Sequence, residues 1–306
     1  MFWNFLLNIA VLWQVVSPTT VLPAQTINLA PDNSRVDFLA GRVSVAAPYL
    51  LNKDSLGVAV SAKAAAVVDV QTQAVLWQKN IEAVLPIASL TKLMTVLTWR
   101  DYNVPLDKTM IVSAEDYREG GRAYIYRGEE IAVEDLLASV LIASDNTAAV
   151  VLARSTGLNE PQFVAAMNAK AAAIGLRQSV FVEPTGLSGL NKASVADLIL
   201  LSEMVFADEQ LASYLNRVSH SYRILNNNRL NSFASTNALL NSYLSVVAGK
   251  TGYSEEAGGC LSVRVKVGGR ELQVILLGSE DQYTRFQEAK SLAQWVYDNY
   301  EWPSQQ

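Results

Sequence analysis

Cysteine and histidine are nearly absent from this 306-residue chain: Cys260 and His220 each stand alone. Cys/His zinc sites, Cys-His proteases and disulfide frameworks therefore have almost no raw material. Charge is scarce as well. Only 17% of the residues are Asp, Glu, Lys or Arg, and 24 basic against 29 acidic side chains give a net charge of -5. A mildly acidic chain without a Lys/Arg stripe lacks the electrostatic footprint that phosphate binding needs, so no nucleic-acid partner is expected. Half of the residues are hydrophobic, enough to bury a sizeable core and to exclude intrinsic disorder. Acid–base chemistry must then rest mainly on Lys, Tyr, Ser or carboxylates.

From Phe2 to Val16 the sequence is nearly all apolar, interrupted by Asn4, Asn8 and Gln14 and stopped by Pro18. This run is short for a membrane span. It reads as the apolar region of a secretory signal, with Leu22-Pro23-Ala24 offering a cleavage site before Gln25. No Lys or Arg precedes it, so an uncleaved anchor is the main competitor. Residues 1–25 are thus expected to be a signal peptide or an N-terminal membrane anchor, and the protein to be exported to the periplasm or extracytoplasmic envelope. Residues 26–59, with Pro31, Pro48 and no sustained periodicity, read as a linker. The folded domain is expected over 60–306.

Two apolar runs, Ala65 to Val70 and Ala74 to Trp77, flank Gln71-Thr72-Gln73 and suggest a β-hairpin. Segments 89–101, 133–154, 160–175 and 193–206 have helical apolar spacing. Strand patterns return at Val246-Val247-Ala248, Leu261 to Val267 and Leu272 to Leu277, the last two joined by Gly268-Gly269. A closing helix is expected over roughly 283–300. Strands at both ends with helices between them predict an α+β fold: one antiparallel sheet built from both ends of the region, carrying an inserted helical lobe.

Two familiar signatures fail. Gly249-Lys250-Thr251 resembles the end of a phosphate-binding loop, but that loop needs glycine where Leu244 stands. Gly186-Leu187-Ser188-Gly189-Leu190 lacks the final glycine of a nucleophile elbow. Three constellations remain. Ser89-Leu90-Thr91-Lys92 opens an apolar helix, and residues three apart share a helix face, so the hydroxyl and the amine can meet. A serine hydroxyl becomes a good nucleophile when a base removes its proton, and lysine is such a base when burial or a cation lowers its pKa. Taken alone, Ser89 would equally be an ordinary helix cap. Ser144-Asp145-Asn146 lies between two helical stretches, where polar residues usually cap; alternatively Ser144 relays a proton and Asn146 fixes lysine and substrate amide. Lys250-Thr251-Gly252 ends an apolar strand. It is either a solvated strand end or an edge that holds an extended peptide and its carboxylate.

In this order the three match the signature of serine penicillin-binding proteins and class A β-lactamases. Pro86 to Ser89, Met94-Thr95, the stretch Phe181-Val182-Glu183-Pro184-Thr185-Gly186-Leu187 with Asn191, Ser194 and Asp197, Asn237 ahead of Leu239-Leu240, and Lys250 to Tyr253 with Ala257-Gly258 resemble the low-molecular-mass D-alanyl-D-alanine carboxypeptidases. The likeness spans about 64–300. It implies the transpeptidase fold shared with β-lactamases and an exported serine hydrolase that trims D-Ala-D-Ala ends of peptidoglycan stem peptides. Cleavage of D-amino-acid cross-links is the alternative activity. β-Lactam antibiotics would be covalent inhibitors, and no metal or organic cofactor is called for. Carried over by motif, Ser89 would be the nucleophile, Lys92 its base, and Ser144 with Asn146 the proton relay. Lys250 would supply the positive potential that keeps Lys92 neutral, Thr251 would bind the terminal carboxylate, and Gly252 would permit close approach. The backbone N–H groups of Ser89 and Tyr253 would form the oxyanion hole. A class A-like β-lactamase is a rival because Glu183-Pro184 resembles its deacylating loop, but Leu187 stands where such enzymes have asparagine. A silent wall-binding protein is the other rival, which the intact Ser89, Lys92, Ser144 and Lys250 oppose.

Overall fold

The computed structural model describes residues 46–51, 55 and 57–303, all within one unit spanning 36–306. The expected signal or anchor at 1–25 and most of the 26–59 segment lie outside them. The centre of the fold is a five-stranded antiparallel sheet of β1 (Ala64–Asp69), β2 (Val75–Lys79), β3 (Ser245–Ser254), β4 (Gly258–Val267) and β5 (Arg270–Ser279). Its spatial order is β3-β4-β5-β1-β2, so strands from both ends of the domain meet where β5 pairs with β1, with Val274 opposite Val67. This is the expected sheet.

The apolar runs are continuous rather than alternating because both sheet faces are covered. Successive side chains of a strand point to opposite faces. Ala64, Ala66 and Val68 join a core shared with the helical lobe, while Ala65 and Val67 join a second core with Phe286, Leu292 and Val296. Those last three belong to the closing helix, whose bounds are Thr284–Asn299.

The lobe comprises α1 (Thr91–Arg100), α2 (Val133–Ala138), α3 (Asn146–Arg154), α4 (Glu160–Ala173), α5 (Val195–Ala207) and α6 (Glu209–Leu215). The closing helix is α7. Four caps explain the boundaries: Asp145, Asn159, Ser194 and Asp208 each accept a backbone N–H of the helix they precede. The expected helical stretch 133–154 is broken. After α2 a π-helical turn, Ser139–Ala143, ends at Ser144 in the left-handed conformation (φ 61°, ψ 30°).

Short pieces escape periodicity, which needs several residues to register. Tyr49–Leu50, within the segment read as a linker, pairs with Tyr300–Glu301, and Val58 packs against the second core. The described part of that segment is therefore tied to the domain. A hairpin of Ser219–Arg223 and Leu230–Ala234 lies against the π-helical turn through Tyr222, whose hydroxyl is 3.4 Å from Ser139 Oγ. Among the described residues no helix is long and apolar enough to cross a membrane.

Candidate active site

The site forms where the lobe meets the edge strand β3. Ala88–Leu90 makes a tight 3-10 turn that runs into α1. Neither the turn nor α1 has a side-chain cap, so Ser89 is not the ordinary capping serine that its position permits. Its hydroxyl instead meets Lys92 Nζ at 3.0 Å. Lys92 is 0% exposed, and its other partners are Asn146 Oδ1 at 2.7 Å and the Thr185 carbonyl at 2.6 Å. Both of those atoms only accept. A neutral amine has two N–H donors and one lone pair. With two N–H groups held by Asn146 and Thr185, the lone pair faces the Ser89 hydroxyl, which is the arrangement of a base.

Burial lowers the Lys92 pKa to about 7, although Glu183 and Asp145 pull the other way. Desolvation is thus the largest influence on Lys92, and the two buried lysines also act on each other, since Lys92 is among the charges that lower the Lys250 pKa. Lys250 is equally buried, which refutes the solvated strand end. Its own pKa is pushed well below the ordinary lysine value by burial, then by Lys92 and Arg285.

Ser144-Asp145-Asn146 divides the two roles foreseen for it. Asp145 is the cap, accepting from Ala148 N at 2.8 Å and from Tyr124 N at 3.0 Å. Ser144 and Asn146 are thereby left to face the site. Lys250 Nζ donates to Ser144 Oγ at 2.7 Å, and Asn146 Nδ2 donates to the Gly120 carbonyl at 2.7 Å. The Thr251 hydroxyl lies 2.6 Å from that of Thr236. Gly252 has no room for a side chain: a Cβ there would stand 2.9 Å from Ser89 N and 3.0 Å from Ile87 O. Glycine at this position lets β3 lie directly against the Ser89 turn. Tyr253, 45% exposed, follows on the open edge. All eight expected residues thus lie along the line where α1, the start of α3 and β3 converge.

Other residues complete the site and are harder to read from sequence. The loop 183–188 closes its far side. The Glu183 carboxylate accepts from Thr185 N (2.7 Å), Thr185 Oγ1 (2.5 Å), Gly186 N (2.6 Å) and Asn191 Nδ2 (2.6 Å). It is a knot within its own loop. Gly186 adopts φ +88°, and a Cβ on it would collide with Ala88 O at 2.0 Å, so loop and nucleophile turn are in direct backbone contact. Thr95 Oγ1 holds the same loop at the Pro184 carbonyl, 2.6 Å away. Arg285 of α7 donates to the Gly252 carbonyl from behind β3. Its one sequence signal is a pair of charges, Arg285 and Glu288, three apart on a helix face that is otherwise apolar.

The family model for D-alanyl-D-alanine carboxypeptidases matches residues 51–281. The chain is 33% identical to a D-alanyl-D-alanine endopeptidase of Pseudomonas aeruginosa, over 76% of each protein. It is 30% identical to a D-alanyl-D-alanine endopeptidase of Escherichia coli, over 78% of this chain and 77% of the other. A D-alanyl-D-alanine carboxypeptidase of Mycobacterium tuberculosis superposes with a TM-score of 0.72 at 25% identity, over 80% of this chain and 95% of that structure. A Ser-Lys pair joined at 3.0 Å inside this fold, with a matching family model over three quarters of the chain, makes the conclusion plain: the chain belongs to the D-alanyl-D-alanine carboxypeptidase family of serine peptidases.

Proposed function

We propose that the protein removes the terminal D-Ala of peptidoglycan stem peptides through an acyl-enzyme on Ser89. The observation that carries this reading is the buried amine of Lys92, with its two other partners both acceptors and its pKa near 7, at hydrogen-bond distance from Ser89 Oγ. Lys92 takes the hydroxyl proton while Oγ bonds to the carbonyl carbon of the penultimate D-Ala. The carbonyl electron pair moves to oxygen, where the N–H groups of Ser89 and Tyr253 receive it; such donors contribute roughly 3–4 kcal/mol each. As the tetrahedral species collapses the C–N bond breaks, and the departing amine takes its proton from the Lys92–Ser144 relay. Water then attacks the ester with the same groups in reverse. Thr251 and Lys250 receive the substrate carboxylate, whose negative charge favours the protonated form of Lys250. Asn146 orients Lys92 and the substrate amide. β-Lactams would enter the same cycle as covalent inhibitors, and work on peptidoglycan places the protein outside the cytoplasm, exported through or tethered by residues 1–25.

Cleavage of cross-links is the second reading. It is favoured by the endopeptidase names of the Pseudomonas aeruginosa and Escherichia coli relatives, each matched over about three quarters of its length. Purified pentapeptide monomers and cross-linked dimers, incubated with the enzyme and separated by mass, test both. Pentapeptides losing one D-Ala support the carboxypeptidase. Dimers cut while pentapeptides persist replace it with the endopeptidase, and neither being touched rejects both.

A further inference from the structure

The edge strand β3 gives the cleft a direction. With the substrate carboxylate at Thr251 and the oxyanion at the Tyr253 N–H, a peptide lying extended and antiparallel along β3 runs past Tyr253 as it is followed away from its carboxylate. The residue before the two D-alanines then falls against the turn 255–257, which joins β3 to β4. That turn is firmly seated: Ala257 is buried in the core, and its N–H donates to Ser254 Oγ at 3.1 Å. The opposite wall continues from the Glu183 loop to Gly189, and it is held by Ser188 N on Glu183 Oε1 and Asn191 N on the Ser188 carbonyl. One side chain joins the two walls. A Cβ built on Gly189 would collide with both carboxylate oxygens of Glu256, so that carboxylate lies directly on the Gly189 backbone. Unlike Gly186, Gly189 is not left-handed, and what glycine provides there is room for the carboxylate. Glu256 is exposed and makes no hydrogen bond or ion pair among the described residues, and its neighbour Glu255 carries the same sign.

We propose that Glu256 is a specificity-determining residue: it reads the side chain of the residue preceding D-Ala-D-Ala and favours a free ammonium there. The inference rests on the serine peptidase reading above and narrows its substrate class to stem peptides with an unacylated basic side chain at that place. A primary ammonium brings three donors to a carboxylate that only accepts. An amine that has been acylated, as in a cross-link, has lost the charge and offers one amide N–H. A side-chain carboxylate at the same place would be repelled, which adds discrimination to the attraction. Because Glu256 stands at the rim, water screens the pair, and the preference is a matter of several-fold in rate rather than absolute selection.

Two peptides that differ only at the amine test this, Nα-acetyl-L-Lys-D-Ala-D-Ala and its Nε-acetyl derivative. For wild-type protein kcat/KM should be about three- to tenfold higher with the free amine, the scale of a rim ion pair, and the difference should shrink at high salt. In Glu256→Gln the ratio should fall toward one through loss on the amine peptide alone. Glu256→Lys should reverse the preference, favouring an Nε-succinyl peptide, whose side chain ends in a carboxylate. A penicillin whose acyl side chain ends in a primary amine, set against its N-acetyl form, repeats the comparison through acylation of Ser89 and decides it if neither peptide is cleaved. A wild-type ratio of one, or a ratio unchanged in Glu256→Gln, would overturn the proposal. Equal loss on both members of a pair would make Glu256 a brace between the walls, and overturns it too. Failure of the underlying reading looks different: wild-type protein would then be acylated at Ser89 by neither penicillin, and the proposal would fall with it.

Discussion

At Lys92 the cost of burying an ammonium outweighs the pull of the Glu183 and Asp145 carboxylates and turns an ordinary lysine into a base near neutrality. Because the active form is the neutral one, the acylation rate should rise with pH and level off above about 7. Lys92→Arg, whose guanidinium stays protonated, should slow acylation by several orders of magnitude across that range. Stopped-flow acylation by a chromogenic β-lactam from pH 5 to 9 measures both; a flat profile, or a fast Arg variant, would remove Lys92 from the role. Ser89 and Lys92 are legible in the sequence because a helix brings residues three apart together without any tertiary information. Arg285 is not. Its partner is 33 residues away and on another element, and a charge on an apolar helix face says only that something must satisfy it.

The elements act as clamps on that pair. The 183–188 loop is held to α1 by Lys92 and Thr95, and β3 reaches the Ser89 turn only because residue 252 has no Cβ. Gly252→Ala should push β3 from Ser89, lowering penicillin acylation at least tenfold while β1 to β5 persist; kinetics alongside circular dichroism checks this, and normal acylation would show that the close approach is dispensable. The Glu183 carboxylate accepts from five donors, four in its own loop and Asn191 Nδ2 beyond it, and a glutamine in its place turns an NH2 toward some of them. Glu183→Gln should therefore destabilise the protein by roughly 1.5–3 kcal/mol, the scale of a hydrogen bond to a charged group, and leave the lifetime of the penicillin adduct unchanged. Thermal melts and intact-mass time courses measure the two effects. Fast wild-type turnover that vanishes in this variant would restore the β-lactamase reading. The helices and long strands are legible because their apolar periods run for many residues. The break at Ser144 is not, since its left-handed turn depends on the π-helical segment before it and on the hairpin packed beside that segment.

For the whole molecule, the informative fact is that the sheet closes between β5 and β1, so strands from the two ends of the domain share one sheet with β3 at its edge. The expectation of one sheet built from both ends follows from where the strand patterns lie, and the structure has it. What sequence leaves unread is the pairing of Tyr49–Leu50 with Tyr300–Glu301, because two residues carry no period. The motifs converge on one line from positions as far apart as Ser89 and Tyr253, and their joint chemistry is a claim about the assembled protein. The most direct test is the intact mass of wild-type protein and Ser89→Ala after exposure to benzylpenicillin, followed by peptide mapping. One adduct of the antibiotic's full mass, located on Ser89 and absent from the variant, is the expected result. No adduct on the wild type, or one that survives in Ser89→Ala, would contradict the account.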